Sequence, residues 1–85
     1  SQFDWTVSVQ KNINVGDILR AAQKTKIKEI ESIEILDIYH SNETNFITLR
    51  AVLSDENTTL TSEFLKNAEV SLIKTTSDAG FELKK

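Results

Sequence analysis

Ser32-Ile33-Glu34-Ile35-Leu36-Asp37-Ile38-Tyr39 is the most β-prone run in the chain. Its β-branched and aromatic side chains suit a pleated, half-buried surface. It lies between two segments with helical period. After the short polar connection 40–45, a second strand-like run, 46–53, follows. A hairpin flanked by helices predicts the order β-α-β-β-α-β. Inside the opening run the alternation breaks. Ile33 and Ile35 share one face of a regular strand, whereas Leu36 and Ile38 share the other. A bulge at Leu36-Asp37 adds one residue, returns the apolar side inward and points Glu34 and Asp37 away from the core.

Working outward, Trp5, Val7 and Val9 alternate with Thr6, Ser8 and Gln10, the period of a half-buried first strand. Lys11-Asn12-Ile13 reads as a turn. Asn14 is expected to cap a helix, with Asp17 in capping-box position. Val15, Ile18, Leu19 and Ala22 form its apolar stripe. Gly16 in its first turn is either tolerated near a frayed end or marks the close approach of another backbone. In 46–53, Ile47, Leu49, Ala51 and Leu53 form an apolar set, and Phe46, Thr48, Arg50 and Val52 the opposite one. Residues 54–58 read as a loop. Thr61 caps a second helix with a stripe of Leu65, Ala68, Leu72, Ile73 and Thr76. Gly80 is placed to end that helix in the left-handed region, and Phe81-Glu82-Leu83 to form a short edge strand.

These elements predict an α+β, ferredoxin-like split β-α-β fold, a four-stranded antiparallel sheet with two helices on one face. Right-handed crossovers put both helices on the same side. Thr6, Ser8, Glu34, Phe46, Thr48 and Arg50 are then expected on the open side.

The chain has 85 residues, 39% of them hydrophobic and 27% charged. That length supports one domain, 1–85, burying roughly 60–65% of its unfolded surface. It contains no methionine and opens on Ser1, so a fragment of a longer protein is expected. No cysteine means no disulfide and no thiolate metal site, which fits a reducing compartment. No run approaches the roughly 18 apolar residues of a membrane-spanning helix, so no membrane role is expected. Thirteen acids against ten bases give a net charge of −3, which opposes nucleic-acid binding by bulk electrostatics. Any such role needs a local patch.

The residues offer little for catalysis. His40 is the sole histidine, and a zinc site needs three or four ligands. Gly16 and Gly80 cannot form a glycine-rich phosphate loop. Glu34 and Asp37 are the nearest approach to a carboxylate pair and read as a wet strand face. Phe46 and Arg50 are more suggestive: four apart on one strand, they share a face roughly 13 Å apart. Such a face either stacks unpaired bases, with arginine adding polar contact, or covers a sheet edge with Arg50 paired to Glu34 or Asp37. Lys24, Lys26 and Lys28 either complement a helix C-terminus or contact phosphates.

Several segments together resemble a known family. Residues 32–39 resemble the second strand of the ferredoxin-fold anticodon-binding domain that closes the β subunit of bacterial phenylalanyl-tRNA synthetase, of the type Ser-Val-Glu-Leu-Phe-Asp-Val-Tyr. Asp4-Trp5-Thr6-Val7-Ser8-Val9, Val15-Gly16-Asp17-Ile18-Leu19, 46–53 with Arg50, Thr59-Leu60-Thr61 before Glu63, and Gly80-Phe81-Glu82-Leu83 match other parts of that domain in order. Phe3 and Thr58 stand where the family commonly has basic residues, and the connection after Tyr39 lacks its usual glycines and lysines. The resemblance implies a non-catalytic, cytoplasmic domain without a cofactor of its own, monomeric in isolation, that contacts the anticodon region of tRNA. Its parent would be a heterotetramer in which the α subunit activates phenylalanine with ATP and Mg²⁺. RNA contact is expected at Arg50, Phe46 and Tyr39, with Lys24, Lys26 and Lys28 as backbone-steering charges. A competing expectation is a protein-interaction or regulatory module of the same fold, dimerising along sheet edges. An acylphosphatase-like enzyme would need an arginine and glycine in the loop 10–14, which has neither.

Overall fold

The computed structural model describes residues 1–54 and 60–84. Its elements run β1 (Gln2–Gln10), α1 (Val15–Gln23), β2 (Ile30–His40), β3 (Thr44–Leu53), α2 (Ser62–Asp78) and β4 (Glu82–Leu83). The strands form one antiparallel sheet in the order β2-β3-β1-β4. This is the expected ferredoxin-like α+β architecture. The loop read at 54–58, and Thr58 and Thr59 before the second cap, fall mainly on 55–59, outside the described residues.

Alternation in the two central strands sets the two sides of the sheet. Trp5, Val7 and Val9 of β1 and Ile47, Leu49, Ala51 and Leu53 of β3 are buried under the helices. Ile18, Ala21 and Ala22 of α1, Ala68 and Leu72 of α2, and Phe81 complete that core. Burial of each large aliphatic side chain is worth about 1.5–3 kcal/mol.

Helix ends follow local chemistry. The Asn14 side chain accepts a hydrogen bond from the Gly16 N–H at 2.8 Å. Asp17 does not act as the reciprocal half of a capping box, since its carboxylate pairs with Arg20 one turn on. The nearest atoms that a Cβ on Gly16 would meet belong to the side chains of Asn14 and Arg20. Gly16 therefore reflects tolerance near a helix end and not a neighbouring backbone. Thr61 accepts from the Phe64 N–H at 3.0 Å. At the other end of α2, Gly80 takes φ 98°. The Gly80 N–H donates to Ser77 and the Phe81 N–H to Thr76, a Schellman closure that folds Phe81 under the helix.

The bulge is where broken alternation placed it. Ile35 pairs with Leu49 and Asp37 with Thr48, leaving Leu36 as the extra residue. Glu34 and Asp37 accordingly face away from the core. The return of apolar side chains is only partial: Leu36 is 41% exposed, and Ile38, back on the core side opposite Ile47, is still 37% exposed. Ile38 lies on the edge strand, outside the packed cluster. A second shift between Ile30 and Ser32 has no counterpart in the sequence reading, because polar neighbours leave no alternation there to break. The hairpin connection is also tighter than expected. His40 and Asn45 pair across the strands, with His40 Nδ1 3.1 Å from Asn45 Oδ1, so only 41–43 turn.

Deleting Leu36 should therefore leave a regular ladder with Ile33, Ile35 and Asp37 in their present registers. Cross-strand contacts between Asp37 and Thr48, read by NMR, should persist with cooperative unfolding. Deleting Glu34 should instead close the bulge with Ile35 moved to the open face opposite Arg50 and Leu36 to the core side opposite Leu49, at a cost in stability that deleting Leu36 does not carry. Equal damage from both deletions would contradict the assigned bulge.

Candidate nucleic-acid interface

The open side is organised in rows by strand register. Glu34, Arg50 and Asp4 lie side by side across β2, β3 and β1; Asp37, Thr48 and Thr6 form the next row; Tyr39, Phe46 and Ser8 the third, with Glu82 of β4 beyond Ser8. All six residues expected on this face are there. The face is mixed in charge, with carboxylates of Asp4, Glu34, Asp37 and Glu82 against the cations of Arg50 and Lys84.

Arg50 is engaged by its neighbours. Its Nε lies 2.8 Å from Asp4 Oδ1 and its Nη2 3.0 Å from Asp4 Oδ2, a bidentate fork. The hydrogen bond from Arg50 holds the Asp4 carboxyl below its usual range, with the guanidinium charge adding to it. The Arg50 pKa is raised in turn, chiefly by its bond to Asp4 and further by Coulombic attraction to Asp4 and Glu34. Arg50 thus has a cross-strand ion partner, as the bland sequence reading held, but the partner is on β1 and not on β2. In the next row, the hydroxyls of Thr6 and Thr48 are 2.8 Å apart and bonded.

The third row carries the aromatic chemistry. Tyr39 and Phe46 have ring centroids 6.2 Å apart and planes tilted by 30°, within the range of favourable aromatic pairs. Tyr39 is 61% exposed. Phe46 is half-buried beside Tyr39, and Lys84, just past β4, sets its ammonium 4.7 Å from the Phe46 centroid. The Lys84 backbone is held by its N–H donating to the Thr6 carbonyl at 2.8 Å. Such cation–π contacts are worth about 0.5–1 kcal/mol at exposed sites. Lys84 was not among the site residues that the sequence pointed to. No local signal marks a lysine 38 positions from its aromatic partner.

Lys24, Lys26 and Lys28 stand apart. They occupy the end of α1 and the connection to Ile30, all exposed. Tyr39 lies nine residues farther along β2, roughly 30 Å at strand rise. The structure therefore brings Tyr39, Phe46 and, one row pair away, Arg50 together on one face, and leaves the three lysines at its far end. Among the described residues no cluster of three or more His, Cys, Asp or Glu could hold a metal ion, and no helix is long and apolar enough to cross a membrane.

A ferredoxin-like domain with one helix-covered side and one open side bearing a paired aromatic and a lysine defines a class of sheet-surface binding modules. Residues 1–84 match the family described as ferredoxin-fold anticodon binding domain, and the chain belongs to that family. The chain is also similar to the phenylalanine–tRNA ligase β subunit of Protochlamydia amoebophila (strain UWE25), at 28% identity over 71 residues. That stretch covers 79% of this chain but 9% of the ligase subunit, so the chain spans a small part of that relative's length.

The ion pair makes a pH prediction. A carboxylate whose folded pKa is depressed adds stability above its unfolded pKa, and that contribution is lost as pH falls through the lower, folded value. In a ¹³C titration the Asp4 carboxyl should titrate below the ordinary aspartate range, and Arg50→Gln should bring it back. An ordinary Asp4 midpoint in the unaltered chain would contradict the fork.

Proposed function

We propose that this chain is a non-catalytic tRNA-binding domain of a phenylalanine–tRNA ligase β subunit, contacting the anticodon region of phenylalanine tRNA. The observation that carries this reading is membership of the anticodon-binding family over 1–84, joined to an exposed Tyr39 beside Phe46 on the uncovered sheet face. Exposed aromatics on a sheet stack unpaired bases, as in a tRNA loop. Tyr39 is the primary stacking surface and Phe46 supports it from beneath Lys84. Arg50, with its guanidinium engaged, supplies its outer N–H edge and keeps the three strands in register. Lys24, Lys26 and Lys28 steer the tRNA backbone from a distance.

In this reading the 85 residues are one domain of a longer cytoplasmic chain. The remainder of the β subunit and a separate α subunit complete a heterotetramer, and ATP and Mg²⁺ serve amino-acid activation elsewhere in it. The isolated domain is a monomer. Two bulges and the side chains of Glu31, Glu34 and Asp37 on the outer strand β2 oppose edge-to-edge pairing, which counts against the sheet-edge dimer. Sedimentation as a tight dimer would restore that alternative.

Fluorescence anisotropy at low salt should show the chain binding phenylalanine tRNA more tightly than an unrelated tRNA. Tyr39→Ala should weaken that binding by about 1–3 kcal/mol, the value of one stacked base, and Tyr39→Phe should retain it. Equal affinity for both tRNAs, or no effect of Tyr39→Ala, would contradict the reading.

A further inference from the structure

Among the described residues the open face has the cations Arg50 and Lys84, and they are held differently. Arg50 is locked in a two-point fork with Asp4 and has Glu34 beside it on β2. Its charge is matched within the protein, so a phosphate there would compete with carboxylates already in place. Lys84 makes no ion pair among the described residues. Its ammonium rests on the Phe46 ring, which offers a quadrupole and no countercharge. The exchange of that contact for a phosphodiester oxygen would cost the protein no salt bridge. It would also uncover the ring that Lys84 shields, beside the exposed Tyr39.

We infer that Lys84 is the cationic RNA contact of the open face, and that it covers Phe46 until a phosphodiester draws its ammonium away. Arg50, its charge already matched by Asp4, then adds only a polar edge and fixes the register of β1 and β3. The geometry supports the exchange: Lys84 is anchored through its backbone to Thr6, so the side chain can swing while β4 stays in the sheet. The location matters as well. Asp4, Glu34 and Asp37 lie on β1 and β2, and Glu82, the carboxylate on the same edge strand as Lys84, forms no ion pair with it, so the Tyr39–Phe46–Lys84 corner is where a backbone phosphate meets a charge without a salt bridge. This inference rests on the tRNA-binding reading.

The test is the salt dependence of binding to the isolated anticodon stem-loop of phenylalanine tRNA. Each cation–phosphate contact contributes roughly 0.7–0.9 to the slope of log K against log salt, the lower figure for single strands. Lys84→Gln should lower the slope by about one and weaken binding, with Lys84→Arg retaining both. A charge control separates contact from net charge. Lys74→Gln changes the net charge equally on the outer side of α2, where Lys74 pairs with Asp78, and should leave the slope unchanged. A wild-type slope in Lys84→Gln, or an equal loss in Lys74→Gln, would overturn the inference while leaving tRNA binding standing. Absence of any binding by the unaltered chain would overturn both.

Discussion

Strict alternation in β3 is the constraint on which the rest of the molecule depends. Ile47, Leu49, Ala51 and Leu53 are buried without exception, and the residues between them are not. As the central partner of both β1 and β2, β3 imposes its two faces on its neighbours. Trp5, Val7 and Val9 follow on the core side. Asp4, Thr6 and Ser8 follow on the other. One extra residue, Leu36, lets β2 keep the same division despite its own broken pattern. The helices then cover the apolar side only, and the opposite side is left to polar and aromatic residues.

That division also organises the uncovered side of the sheet. Register alone places an ion pair, a hydroxyl pair and an aromatic pair in successive rows across the sheet. The rows differ in how far their partners satisfy them. The Arg50–Asp4 fork is closed within the protein, and its charges have little left to offer. The Tyr39–Phe46 row keeps one ring exposed and the other covered only by a lysine. With a net charge of −3, the domain cannot rely on overall attraction for an anionic partner. In the proposed reading, local stacking and one or a few cations provide the affinity, with the larger share from stacking.

Much of the fold was legible in the sequence because it depends on short periods. Alternation in β1 and β3, the apolar stripes of α1 and α2, the Thr61 cap and the left-handed Gly80 are all local signals. The bulge at Leu36 was legible because it broke an apolar alternation. The shift near Glu31 was silent because its surroundings are polar. The site was legible in part. Which face Phe46 and Arg50 occupy follows from period two, but their partners do not. Asp4 lies 46 residues from Arg50, and its contact with Arg50 depends on β1 lying beside β3 in one register. Lys84, just past the two-residue strand β4, reaches Phe46 across an intervening strand. Long-range pairings of this kind are fixed by strand order, which no single segment encodes.

The central claim is that the uncovered sheet face, at its Tyr39–Phe46 end, is where RNA is met. Chemical-shift mapping of the labelled chain during titration with the phenylalanine tRNA anticodon stem-loop tests it most directly. The account predicts the largest changes at Ser8, Tyr39, Phe46 and Lys84, with the buried residues Ile18 and Leu72 unmoved. Changes confined to the outer surfaces of α1 and α2, with the Tyr39 and Phe46 signals unaltered at saturation, would contradict it.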